Sequence, residues 1–101
     1  LARADRQPKQ LIYRDIAVDL ESRSVTKGGE MVTLKNMEYE LLLTFLRHPG
    51  VVMTREDLLH QVWGDEFIGE TRTVDVHVAQ LRKKTGLTIA SLPKIGYRLE
   101  D

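Results

Sequence analysis

Arg72-Thr73-Val74-Asp75-Val76-His77-Val78-Ala79-Gln80-Leu81-Arg82-Lys83-Lys84-Thr85-Gly86 is the stretch that decides the fold. Val74, Val78 and Leu81 recur at i, i+4 and i+7, which is one stripe of an α-helix. The period predicts a helix over about 73–84, stopped by Gly86. At 100° per residue the opposite side collects Arg72, Val76, Ala79, Gln80 and Lys83. Most polar helix faces are merely solvated, and seen alone this one reads so too, although a purely solvating face usually carries charges where Val76 and Ala79 stand.

Upstream, Leu58, Leu59, Val62 and Trp63 form the inward side of a second helix over 55–63. Thr54 with Asp57 three residues on reads as its capping box, and Gly64 ends it. Further back, Tyr39, Leu42, Leu43 and Leu46 repeat at helical spacing, with Asn36 as the expected cap and an end near Arg47, before Pro49-Gly50. Val51-Val52-Met53 is expected as an extended link. Ile16, Val18 and Leu20 alternate like a half-buried strand. Ser24 to Thr26 and Met31 to Leu34 are strand-like runs around Gly28-Gly29, a pair suited to the positive φ angles of a tight hairpin. Downstream of Gly86, strands over 87–92 and 97–100 flank a turn at Pro93 to Gly96. Residues 1–9 are polar, contain Pro8 and read as a linker or tail; 10–101 read as the domain. The class is α+β: an N-terminal antiparallel sheet, three helices and a C-terminal β-hairpin.

Composition narrows the function. The chain has 101 residues, 42% of them apolar, and no cysteine. That excludes disulfide scaffolds, thiolate zinc sites and cysteine nucleophiles. His48, His60 and His77 lack ligand spacing, so no metal and no cofactor is expected. Glu38 and Glu40, or Asp65 and Glu66, are read as solvated rather than catalytic, so no enzyme is expected. No apolar run approaches the roughly 20 residues of a membrane span, and the expected setting is cytoplasmic. Fifteen basic residues balance fifteen acidic ones. Yet residues 72–98 hold six basic side chains against Asp75 alone, while residues 1–71 hold nine basic and twelve acidic. A local positive field of this kind suits a polyanion.

Two helices followed by a basic hairpin are the layout of a winged helix-turn-helix. A helix is about 10–12 Å across, close to the roughly 12 Å width of the DNA major groove. Gln80 offers the amide donor and acceptor that match adenine, and Val76 suits a thymine methyl. Arg72, Lys83 and Lys84 are placed to reach phosphates. The competing reading is a winged-helix module that binds protein and no longer binds DNA, which the neutral total charge favours.

Trp63-Gly64, Arg72 to Val78, Leu81-Arg82-Lys83-Lys84 and Gly96-Tyr97-Arg98-Leu99 closely resemble the output domain of OmpR/PhoB-type response regulators. Leu34, Glu38 to Leu42 and Pro49-Gly50 to Trp63 fit the same pattern, so the resemblance covers roughly residues 11–100. It implies sequence-specific binding of double-stranded DNA at direct-repeat promoter sites. It makes helix 73–84 the recognition helix and hairpin 87–100 the wing, near the minor groove. Trp63, Arg72, Thr73, His77 and Arg82 match phosphate-contacting positions. Loop 64–71, with Asp65, Glu66, Phe67 and Glu70, would face RNA polymerase. A receiver domain, phosphorylated by a sensor histidine kinase, would precede residue 1. Three departures stand out. Gln80 replaces a frequent Arg, Lys35 replaces a capping Thr, and Pro93 replaces the wing Arg, leaving Lys94 as its candidate substitute.

Overall fold

The computed structural model describes residues 9–64 and 70–100. The expected linker therefore lies, apart from Lys9, outside the described residues, as do Asp65, Glu66 and Phe67. The chain divides into two compact units, residues 1–33 and 34–101.

The first unit is a four-stranded antiparallel sheet in sequential order: β1 (Gln10–Tyr13), β2 (Ile16–Asp19), β3 (Ser24–Lys27) and β4 (Glu30–Val32). Val18 pairs with Leu11 on one side and Val25 on the other, and Val25 pairs with Val32. This row forms one apolar face, with Val18 and Val25 buried. Gly28 and Gly29 both take positive φ in the last turn, as the hairpin geometry requires. The strand β1 was not expected. Its Gln10-Leu11-Ile12-Tyr13 has too little alternation to stand out before its partner is known.

The second unit begins with α1 (Asn36–Arg47) and α2 (Arg55–Trp63). Between them lies a two-residue strand, β5 (Met53–Thr54). Next come α3 (Arg72–Thr85) and the hairpin β6 (Ile89–Leu92) and β7 (Gly96–Leu99). Its core is Leu41, Leu42 and Phe45 of α1, Leu58 of α2, Val74, Val78 and Leu81 of α3, and Leu99 of β7, all fully buried. Each such side chain contributes about 1.5–3 kcal/mol on leaving water. α1 packs against both α2 and α3, so it fixes the pair from behind.

Several expectations change. The cap of α1 is Lys35, not Asn36: Lys35 keeps an extended backbone, and Asn36 is already helical. The Glu38 carboxylate accepts the Lys35 N–H at 3.0 Å, which stands in for a Thr cap. Thr54 caps α2 as expected, accepting the Asp57 N–H at 2.9 Å. Gly86 closes α3 in the left-handed conformation, and α3 is one residue longer at each end than its period suggested. The link at Met53 is a true strand. Met53 pairs with Tyr97 and Thr54 with Gly96, making the wing sheet three-stranded in the order β5-β7-β6. Val62 and Trp63 are half-buried rather than core.

Candidate nucleic-acid interface

α3 turns its Val74, Val78 and Leu81 stripe fully inward. Arg72, Val76, Ala79, Gln80 and Lys83 are all exposed on the other side. Val76 is 59% exposed. The face combines two aliphatic groups, one amide and flanking cations, as its 100° spacing predicts.

A polar cluster sets how α3 meets its neighbours. Oδ1 of Asp75, in the first turn of α3, accepts from Arg55 Nε at 2.7 Å and from the Tyr97 hydroxyl at 2.5 Å. These two donors come from α2 and β7. The Arg55 guanidinium also lies 5.1 Å from the Tyr97 ring centre, and that of Arg82 lies 5.5 Å from it. Burial pushes the Asp75 carboxyl up, but the hydrogen bonds from Tyr97 and Arg55 outweigh it and hold it below its ordinary value. The Tyr97 hydroxyl is pushed up, first by burial and then by its bond to the Asp75 carboxylate. In the sequence Asp75 stands only as a lone negative charge among cations. Its role was invisible because Arg55 and Tyr97 lie 20 and 22 residues away.

Arg82 reaches across to β6. Its Nε donates to the Ile89 carbonyl at 2.9 Å, and its terminal nitrogen donates to the same oxygen and to Ser91 Oγ. The residue therefore ties the wing to α3. Lys84 also faces inward: its ammonium lies 2.7 Å from Glu38 Oε1. Glu38, expected to be solvated, is only 1% exposed. Burial raises its carboxyl, but the bonds from Lys84 and from the Lys35 N–H bring it below the ordinary carboxylate value. Of the five expected phosphate-reaching cations, Arg82 and Lys84 thus have protein partners. Arg72, Lys83 and Lys94 remain exposed. The Arg72 pairing with Glu70, 3.8 Å apart with both side chains exposed, is too loose and too solvated to restrain it.

The wing tip is a turn in which Ile95 N–H donates to the Leu92 carbonyl at 2.9 Å. Pro93 and Lys94 are its central residues, and Lys94 has φ +66. That is the pattern of a type II turn, where glycine is the usual third residue. Gly96 faces a different constraint. A Cβ there would lie 2.0 Å from the Met53 carbonyl oxygen, so only glycine lets β5 approach β7. On the other flank of α3, His77 Nδ1 lies 2.8 Å from the Thr73 carbonyl oxygen. Its ring meets Trp63 edge-on, with centroids 5.0 Å apart and planes at 77°. Trp63, Thr73 and His77 therefore gather at the junction of α2 and α3.

Comparison with known proteins agrees with this geometry. Residues 29–99 match the family described as transcriptional regulatory protein, C terminal. The transcriptional regulatory protein VxrB of Vibrio cholerae is 40% identical over 92 residues, covering 90% of this chain and 38% of that protein. The chain thus spans well under half the length of the curated relatives it matches. The DNA-binding domain of Bacillus subtilis CssR aligns with TM-score 0.78 and 36% identity, covering 83% of this chain and 98% of that one. The DNA-binding domain of Klebsiella pneumoniae RstA, solved in complex with RstA box, aligns with TM-score 0.81 and 29% identity, covering 92% of this chain and 98% of that one.

Proposed function

The chain belongs to the family of transcriptional regulatory protein C-terminal domains, and from that membership we propose that it binds double-stranded DNA as the output domain of a bacterial response regulator. One observation carries the reading. α3 buries Val74, Val78 and Leu81 completely, yet exposes Val76, Ala79 and Gln80 between Arg72 and Lys83. That face has the shape and donor set of a major-groove reader. Arg72, Lys83 and Lys94 supply phosphate contacts, with Trp63, Thr73 and His77 at the rim. Arg82 and Lys84 support this surface from within. The wing lies near the minor groove. A receiver domain, its sensor histidine kinase and RNA polymerase, the last facing Glu70 and its loop, are the further partners. The reading assigns no catalysis and places the protein in the cytoplasm. Among the described residues no helix is long and apolar enough to cross a membrane.

The test is a salt titration on a duplex selected by the chain from a random pool. Three available cations predict a slope of log affinity against log salt of roughly −3, and five would give roughly −4 to −5. Affinity that barely changes with salt would overturn the DNA reading and favour a protein-binding winged helix.

A further inference from the structure

The wing is tied to α3 at two points. Asp75 and Arg82 stand seven residues apart, two helical turns, and so share one side of α3. Asp75 holds β7 through the Tyr97 hydroxyl, and Arg82 holds β6 through the Ile89 carbonyl and Ser91 Oγ. Tyr97 takes part in both ties, because the Arg82 guanidinium lies 5.5 Å from its ring centre. Tyr97 is only 4% exposed, and its hydroxyl points to Asp75 rather than to solvent. The wing tip is held less. Lys94 and Ile95 are exposed there and line an open groove with Arg55 and Glu56 of α2 and with Thr71, so the tip has room to move. The backbone of Lys94 holds φ +66, a strained conformation for a residue with a Cβ. The Lys94 ammonium therefore stands where the base of the hairpin puts it.

We propose that Tyr97 is a positioning residue for DNA binding: its hydroxyl bond to Asp75 presets the wing against α3, so that the Gln80 face and the Lys94 ammonium meet one duplex at a fixed spacing. The inference rests on α3 and the wing being the DNA-facing elements, and Tyr97 itself touches no DNA. Without the hydroxyl bond, β7 loses its tie to the first turn of α3, while the Arg82 tie and the pairing with β5 remain. The fold then persists, but the hairpin samples several poses. Only the fraction of molecules with Lys94 in the right place binds with full strength, and measured affinity falls by that fraction.

The experiment is a double-mutant cycle on affinity for the selected duplex, with Tyr97→Phe and Lys94→Met. Tyr97→Phe keeps the ring that the two guanidinia face and removes only the hydroxyl. In the chain that retains Lys94 it should weaken binding by about tenfold, the scale of a lost hydrogen bond to a carboxylate. In the Lys94→Met background the placed ammonium is gone, so Tyr97→Phe should cost less than about twofold. A merely structural role would lower affinity equally in both backgrounds. A second measurement needs no variant: residual dipolar couplings should give the same orientation of β6 and β7 relative to α3 with and without duplex. It stands even if Tyr97→Phe folds poorly. Equal losses in both backgrounds, no loss from Tyr97→Phe or from Lys94→Met alone, or a wing that reorients on binding overturns the inference and leaves the DNA reading intact. No binding to duplex at any salt concentration overturns both.

Discussion

The Lys84 ammonium lies 2.7 Å from the Glu38 carboxylate, joining the last turn of α3 to the first turn of α1. Glu38 also caps α1 through the Lys35 N–H. One carboxylate with a side chain 2% exposed thus holds both a helix end and an interhelical ion pair. Removing one partner of such a pair leaves a buried charge uncompensated.

Lys84→Met and Lys83→Met should therefore behave oppositely. Lys84→Met is expected to cost about 3 kcal/mol in urea unfolding and to leave the salt slope of DNA binding unchanged. Lys83→Met should change stability by no more than about 0.5 kcal/mol and reduce the slope by about 1. If Lys84→Met flattened the slope at unchanged stability, the anchor assignment would fail.

Acid should unfold the second unit through two carboxylates. Glu38 and Asp75 both titrate below their ordinary values of 4.5 and 3.8 in the folded chain. The unfolded chain then binds protons first as pH falls, so their stabilisation is complete above those values and is lost below them. Thermal midpoints from pH 6 to pH 2.5 should start to fall near 4.5 and continue through the lowered titrations. Asp75→Asn should be less stable at neutral pH and show a shallower acid decline. An Asp75→Asn decline as steep as that of the unsubstituted chain would contradict this.

Gly96→Ala should disrupt the wing sheet. The added Cβ meets backbone, at 2.0 Å from Met53 O and 2.7 Å from Thr54 Cα, so no side chain can move aside. A cost of about 2–3 kcal/mol is expected, with faster amide exchange along β5 and β7. Unchanged exchange there would mean that the strands do not pair this closely.

Lys94→Asn separates strain from charge at the wing tip. Asn tolerates the left-handed backbone better than Lys, so stability should rise by a few tenths of a kcal/mol. With the ammonium gone, the salt slope should fall by about 1. A variant that gains stability and keeps the full slope would remove Lys94 from the interface.

Gln80→Ala should relax specificity at one base pair. A bidentate amide contact discriminates by about 1–3 kcal/mol, whereas a phosphate contact supports every sequence alike. Binding to all single-base variants of the selected site gives the readout. Equal losses across every variant would remove Gln80 from base reading.

Local chemistry made much of the fold legible. The spacing of Val74, Val78 and Leu81, the Thr54 cap, the Gly28-Gly29 turn and the Gly86 stop each act within a few residues. Sequence alone therefore placed the three helices, the hairpins and the outer face of α3. It could not tell a buried Glu38 from a solvated one, because charge carries no record of its partner. Glu38 meets Lys84 across 46 residues, and Asp75 meets Tyr97 across 22. The same holds for Met53, whose strand exists only because Tyr97 pairs with it. Burial in a low-dielectric interior makes an unpaired charge costly. Only the tertiary structure decides which cations answer buried carboxylates and which stay on the surface.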